Sequence, residues 1–490
     1  MRGSKFVQDS LGLALGQYVS RAVLLVRGVV SAAVLGPTGY GAWNALNLIL
    51  DYGAYATLGV MQGLDLRLPA AVHARDVERE RRVLAAGASV VIAGGVLFAA
   101  GVGAFLLFRG ARLEPWGVAA PLLMLVAALL QLAIQFHVSV LKAHGRFAIV
   151  SGAQAAQVVL GAGLGIALVK TAGLWGLIGG WLAGTLVALV WLAAAAPGVP
   201  RLPGRPAEGL RLARLGFPIF GFFAMSLVLR SVDRLALLRF AGTAELGLYS
   251  LGMLAAGLVL YLPEAAATVL FPRIAAAAEG ARDAARTRAE VIQSHRALTV
   301  ALPPLVAIAM VWAAPITAWA LPAFRDGVPA LRLLALGALL FAAGTLPGYF
   351  LLGTGHGVRL FAAGAAIALV TAAIVFGTAA RFPHAGPVAA AAACGYGLFA
   401  ATMVALAAPR LFAGASGRVG FAVQSFVPAL WAGGLALAAC AVGPAESVAA
   451  ALARTAAVGL GYVPVLWWFG RGVGLRRLAH EWLAPRPSPA

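Results

Sequence analysis

Residues 36–71 read GPTGYGAWNALNLILDYGAYATLGVMQGLDLRLPAA, and residues 242–277 read GTAELGLYSLGMLAAGLVLYLPEAAATVLFPRIAAA. A constant offset of 206 aligns them without a gap. Gly36, Gly41, Leu48, Tyr55, Leu64, Arg67, Ala70 and Ala71 meet identical residues, and Trp43 meets Tyr249. In a chain this rich in alanine and leucine, the glycines and the arginine carry more weight than the number of matches. Each copy holds a Gly-x4-Gly-x-aromatic turn, then an apolar run long enough to cross a bilayer, then an arginine at its far end. A duplicated membrane protein folds as two related lobes with the substrate site between them, and that is the main clue to function.

Composition fixes the solvent. Of 490 residues, 62% are hydrophobic and 11% are charged, and the mean hydropathy is +0.91. A soluble core does not absorb that much apolar surface, so lone soluble domains are excluded. The net charge of +20 reads as basic residues gathered in cytoplasmic loops, and no nucleic-acid partner is expected. Arginine outnumbers lysine 34 to 3, the bias of a GC-rich bacterial genome. Cys394 and Cys440 fall in apolar segments and form no disulfide framework or metal-ligand spacing. The apolar run 11–34 is too long for a signal-peptide core and carries Arg21 and Arg27, so it reads as a retained first helix.

Fourteen spans follow, with cores near 11–34, 40–66, 83–108, 115–141, 147–169, 173–196, 215–238, 246–271, 297–321, 327–352, 360–380, 387–408, 419–441 and 447–470. With the N-terminus inside, cytoplasmic segments hold 25 Lys or Arg residues and the opposite side holds 6. This asymmetry predicts an even number of spans, both termini cytoplasmic, and a place in the bacterial cytoplasmic membrane. The fold class is therefore an all-α polytopic membrane protein. Its predicted parts are an N-terminal lobe (1–208, spans 1–6), a C-terminal lobe (209–408, spans 7–12), an appended pair (409–470, spans 13–14) and a cytoplasmic tail (471–490) expected to be disordered. The two lobes are expected to be related by a pseudo-twofold axis along the membrane normal. The charged stretch 277–296 reads as a helix lying along the membrane face. Gly-x-x-x-Gly pairs at Gly12/Gly16, Gly161/Gly165 and Gly176/Gly180 predict close helix packing. The cluster GAGLG at 161–165 sits inside a span and is not a phosphate-binding loop.

The chemistry lies in polar residues placed at lipid depth. Span 2 carries Asn44, Asn47, Asp51, Tyr55 and Gln62, which at 100° per residue fall on one face. Asp51 is near mid-span, where an ionisable group faces a bundle interior or water. The stripe predicts a wet cavity, with interhelical hydrogen bonding as the alternative, and span 4 repeats it with Gln131, Gln135 and Ser139. Span 1 carries Arg21 and Arg27. Span 7 carries Arg230, Asp233 and Arg234. The offset sets Arg27 opposite Asp233, about 13 Å inside the Gly36/Gly242 face, and puts Arg230 about 18 Å inside. Arg27 and Asp233 are expected to pair as a gate, and Arg234 to snorkel or pair locally. Guanidinium groups at that depth suit an anion, because they bind phosphate through two parallel hydrogen bonds.

Two six-span lobes, basic loops, the charged span 7 and the phrase VDRLALLRFAGTAELGLYSLG…VLFPRI together resemble the polysaccharide-exporter branch of the multidrug/oligosaccharidyl-lipid/polysaccharide exporter superfamily. The resemblance covers spans 1–12 and is most specific between Asp233 and Arg273. It implies alternating access around a central cationic cavity with spans 1 and 7 at its wall. The implied cargo is an undecaprenyl-pyrophosphate-linked oligosaccharide moved from the cytoplasmic to the periplasmic leaflet, as in O-antigen and lipopolysaccharide synthesis. Glycosyltransferases and a polymerase are the implied partners, besides membrane lipids. In the related lipid II flippases the last pair of spans helps form a lipid-tail groove, a role the resemblance extends to spans 13–14. On this reading Arg21 and Arg230 engage the diphosphate, and Asn44, Asn47, Tyr55, Gln131 and Gln135 line the cavity. Asp51 accepts H+ or Na+ as coupling ion, or holds the empty cavity neutral, and no other cofactor is expected. A multidrug cation antiporter of the same superfamily is the alternative, but its cavity should favour carboxylates, and here Arg21, Arg27 and Arg230 outnumber the deep acids Asp51 and Asp233. A lipid II flippase is a second alternative. A membrane enzyme is least supported: the loops are short, and His73, His137, His144, His295, His356, His384 and His480 are scattered.

Overall fold

Gly36 bends the chain first. Its φ of 64° and ψ of −179° are not helical, and Pro37 after it has no N–H to continue the helical ladder. The long helix α1 (Arg2–Gly53) is therefore two helices end to end. The computed structural model describes residues 2–109, 117–196, 204–280, 282–442 and 446–471. The first part of the Pro- and Arg-rich linker, 197–203, and the tail 472–490 lie outside these residues.

After α1 come α2 (Val60–His73), α3 (Val77–Arg109), α4 (Ala119–Ala143), α5 (Phe147–Ala172), α6 (Leu174–Ala195), α7 (Pro206–Leu229) and α8 (Val232–Phe240). Then follow α9 (Gly242–Ala278), α10 (Ala284–Ala320), a 3-10 turn (Pro322–Gly327), α11 (Val328–Gly353), α12 (Gly357–Arg381), α13 (Ala385–Leu411), α14 (Ala415–Ala441) and α15 (Val448–Gly470). Among the described residues there is no strand, and thirteen helices are long and apolar enough to cross a bilayer. The first of them, Ser20–Gly53, contains the Gly36 bend and so holds span 1 and the first half of span 2. The short α2 completes span 2, which restores fourteen. The all-helical polytopic fold is as the sequence predicts.

The stretch 277–296 differs from expectation. Asp283 accepts from the N–H groups of Ala285 and Arg286 and caps a helix that runs without interruption into span 9. The charged residues therefore form the ends of α9 and α10, each 37 residues long, and among the described residues they form no separate surface helix. At about 1.5 Å per residue these helices outreach a hydrocarbon core of roughly 30 Å, so their ends project into water. There Glu290 meets Arg273, Arg282 and Arg286 at 3.1–3.5 Å.

Two compact units make up the chain. One comprises the described residues of Met1–Leu238 and Gly242–Gly247, the other those of Arg239–Ala241 and Leu248–Ala490. The first unit thus extends past the duplication boundary at 208 and takes in span 7. In this unit the repeat packs on itself. A Cβ at Gly41 would lie 1.7 Å from the carbonyl oxygen of Thr243, and a Cβ at Gly247 would lie 1.9 Å from that of Pro37. Pro37 and Thr243 are also one repeat apart, so the contact is reciprocal, as a local twofold requires. Gly36 and Gly242 both take positive φ, 64° and 84°. The glycines retained in both copies are those that bend the backbone and those that let it approach. Helices α5 and α6 pack by the same means: a Cβ at Gly180 would lie 2.5 Å from the Gly165 nitrogen.

In the second unit the appended pair docks on span 9. Pro304 cannot donate to the carbonyl of Val300, and the hydroxyl of the buried Tyr462 on α15 donates to that oxygen at 2.9 Å. The indole N–H of Trp312 donates to Thr455 at 3.0 Å, and His295 bonds Ser425 at 2.8 Å. Tyr462→Phe is expected to cost about 1 kcal/mol by orphaning the carbonyl. Tyr462→Ala, which also opens a cavity, should cost about 3–5 kcal/mol. The thermal unfolding midpoint of the detergent-solubilised protein checks both, and no loss in Tyr462→Phe contradicts the assigned bond.

Candidate substrate site at two broken spans

Span 2 is not one helix. Between Gly53 and Val60 the chain turns tightly, with i→i−3 bonds from Tyr55 to Tyr52, Ala56 to Gly53, Leu58 to Tyr55 and Val60 to Thr57 at 3.0–3.3 Å. These bonds keep the backbone paired where a membrane helix is interrupted. Leu58 and Gly59 take positive φ. The next turn is crowded by span 7: a Cβ at Gly216 would lie 2.0 Å from the Gly59 carbonyl oxygen, and one at Gly63 would lie 2.0 Å from that of Leu212. Span 7 is also broken. Helix α7 ends at Arg230 (φ −94°, ψ 8°), and α8 restarts after Ser231.

The two interrupted spans meet. The hydroxyls of Tyr52 and Ser231 lie 2.7 Å apart. Nη1 of Arg234 donates to Oδ2 of Asp51 at 2.9 Å. The Arg234 side chain is 7% exposed and that of Asp51 is 38% exposed. The Arg234 Nε is buried with no hydrogen-bond partner, and Asp233, 1% exposed, accepts from the Arg234 backbone N–H at 2.7 Å. Broken helices that bring opposite charges together at depth are a recurring way to build a transport site.

Arg27 is not on Asp233. Its guanidinium lies 5.2 Å from the Trp43 ring and 5.3 Å from the Trp181 ring. Cation–π contact at that range, about 0.5–2 kcal/mol each, satisfies the charge within the first unit. The double swap Arg27→Asp with Asp233→Arg is therefore expected to leave export at the level of the worse single variant, in a complementation assay. Full rescue would restore the pairing that the sequence predicts.

The polar stripe of span 2 also divides. Asn44 donates to the Tyr40 carbonyl and Asn47 to that of Trp43, both at 2.8 Å, so each amide is half spent on its own helix. Tyr55 sits in the turn with its ring 5.8 Å from Phe220. Tyr55 lies in the turn and Gln62 beyond it, so neither shares the helical register of Asn44, Asn47 and Asp51. Gln131 accepts from Gln157 at 2.8 Å, and Gln157 also donates to Thr185 at 3.2 Å, which ties α4, α5 and α6. Gln135 is half-buried on α4, Arg21 is exposed on α1, and Arg230 is half-buried at the break. The structure thus brings Asp51 onto Arg234. It adds Tyr52, Ser231 and Trp181, which sequence reasoning passed over. The signal was present for one of them: Ser231 is a hydroxyl between two arginines, Arg230 and Arg234, in span 7.

Comparisons with known proteins agree with this architecture. A family described as polysaccharide biosynthesis protein matches residues 83–322. No curated protein matches the chain. Among solved structures, lipid II flippase MurJ in an inward closed conformation is similar at a TM-score of 0.70 and 12% identity, covering 94% of this chain and 99% of that one. An inward-facing multidrug resistance MATE family transporter of the MOP superfamily is similar at 0.59 and 19%, covering 85% and 98%. A MATE transporter of Vibrio cholerae is similar at 0.58 and 16%, covering 87% and 99%. Residues 83–322 thus match a family of polysaccharide biosynthesis proteins, and the fold over most of the chain is that of MurJ and the MATE transporters.

Proposed function

We propose that this exporter flips an anionic undecaprenyl-pyrophosphate-linked oligosaccharide from the cytoplasmic to the periplasmic leaflet by alternating access, without catalysing a reaction. The observation that carries the reading is the charge at the broken spans. Arg230 and Arg234 flank the break in span 7, and Arg234 is buried against a single exposed carboxylate. Such a site takes a phosphate through charge-assisted bonds. Arg21 and Arg230 engage the diphosphate, and Asn44, Asn47, Tyr55 and Gln135 contribute polar surface. Gln131 does so with whatever hydrogen-bonding capacity its bond to Gln157 leaves. Asp51 neutralises the empty site and is the group that takes H+ or Na+ when coupling is ionic. The Gly36/Gly242 end faces the periplasm and both termini face the cytoplasm, in the bacterial inner membrane. Glycosyltransferases act before this step and a polymerase after it, in assembly of a polysaccharide such as O-antigen.

Arg21→Ala and Arg230→Ala should each lower polymer export by roughly 10- to 100-fold, the worth of a hydrogen bond to a charged group of about 1.5–3 kcal/mol. Export is measured at matched protein levels in a host lacking its own flippase. Full export by both variants removes these arginines from the phosphate role. One second reading, a lipid II flippase, has an observation behind it: similarity to MurJ runs over 94% of this chain and 99% of that one. Substitution for a host's lipid II flippase would favour that cargo.

A further inference from the structure

Arg234 is the one buried guanidinium of the site whose hydrogen bonding is visibly incomplete. A guanidinium presents five N–H groups in a planar fork. Here Nη1 is bound to Asp51 at 2.9 Å, while Nε is buried and bound to nothing. The side-on face of a guanidinium, Nε with its neighbouring Nη, takes two oxygens of one phosphate in parallel, and here its Nε has no protein partner. The two partners also differ in their access to water. Arg234 is 7% exposed and cannot hydrate elsewhere, whereas Asp51 is 38% exposed and can. An anion that displaces Asp51 leaves a hydrated carboxylate and a fully paired guanidinium.

We propose that Arg234 is a phosphate-binding residue held in reserve by Asp51, and that an incoming diphosphate takes the guanidinium and releases the carboxylate. This rests on the anionic-substrate reading and adds a residue and a trigger to it. Asp51 belongs to span 2 and Arg234 to span 7, so the exchange unties an ion pair that joins these spans. It does so beside the Tyr52–Ser231 bond, where both helices are already interrupted. Substrate binding and release of span 2 from span 7 become one event, because the ligand binds the released state better than the paired one.

The test is calorimetric titration of the purified full-length protein in nanodiscs with inorganic pyrophosphate and with farnesyl diphosphate. Asp51→Asn, which removes the competing anion, should bind about tenfold tighter than wild type. Arg234→Gln should lose at least tenfold, and Arg234→Lys, which keeps the charge without the fork, should fall between. Tightening for both probes assigns the site to the diphosphate itself. Tightening for farnesyl diphosphate alone assigns it to a lipid-linked diphosphate. Either supports the exchange. Unchanged or weaker binding by an Asp51→Asn protein that melts like wild type overturns it. A second measurement needs no variant: pyrophosphate should raise labelling of Asp51 by a water-soluble carbodiimide, read by mass spectrometry, and constant labelling at saturation overturns the exchange. Diphosphate binding that needs Arg21 and Arg230 but ignores Arg234 and Asp51 overturns the exchange and leaves the anionic-substrate reading intact. Absence of binding in every form overturns both.

Discussion

Gly41→Val should abolish export while the protein still folds and inserts. A Cβ at position 41 would lie 1.7 Å from the Thr243 carbonyl oxygen, where backbone meets backbone and no side chain can yield. The clash exists only while the two turns of the repeat touch. Overpacking costs about 3 kcal/mol, and placed on the closed state alone that shifts its population by roughly 150-fold. Because the contact is reciprocal, Gly247→Val should behave alike; its Cβ would meet the Pro37 carbonyl oxygen at 1.9 Å. The reporter is Ala42→Cys in a background without other cysteines. Ala42 has 0% exposure in this structure, so a membrane-impermeant maleimide added from the periplasm should label it in the valine variants and spare it otherwise. Normal export by Gly41→Val would mean that this contact is not part of the cycle.

Gly216→Val should also abolish export, with the opposite pattern of access. Its Cβ would lie 2.0 Å from the Gly59 carbonyl oxygen and 2.4 Å from the Gly63 nitrogen, where span 2 meets span 7, whereas the Gly41 seam joins the start of span 2 to the start of α9. Here Ala42→Cys should stay protected. A cysteine at Leu212, 4% exposed in this structure, should become reactive from the cytoplasmic side in inverted vesicles. In chain order Asp51 lies between Gly41 and Gly59, and Arg234 lies between Gly216 and Thr243, so the ion pair falls between the two seams on both stretches of the chain. If both valine substitutions expose the same end, the seams are not separate gates and the cycle described above is wrong.

Much of this architecture was legible in the chain. Long uncharged runs located the spans because a bilayer leaves few alternatives to a helix. The repeat picked out Gly36, Gly41, Gly242 and Gly247, and each proves to sit at a bend or a backbone contact. The candidate site was less legible, for two physical reasons. A constant rise per residue places backbones, not charges. By that count Arg27 belongs beside Asp233, yet the guanidinium of Arg27 finds two indoles first, one of them on α6, far away in sequence. Arg234, by contrast, carries its guanidinium across to Asp51. A constant 100° step also assumes an unbroken helix. The turn from Gly53 to Gly59 ends that assumption within span 2, so Gln62 leaves the face that Asn44, Asn47 and Asp51 begin. Glycines at 53, 59 and 63 were the available hint, but glycine is common throughout this chain, 60 of 490 residues, so its presence alone marked nothing.

An anionic lipid-linked sugar is the cargo proposed above. That cargo is tested most directly in proteoliposomes holding the purified full-length protein and a fluorescent polyprenyl-diphosphate oligosaccharide, with dithionite bleaching of the outer leaflet as the readout. Protein-dependent loss of the protected fraction is expected, slowed roughly 10- to 100-fold in Arg230→Ala, with no accumulation of a fluorescent organic cation under a proton or sodium gradient. Gradient-driven accumulation of the cation, with the lipid unmoved, would contradict it.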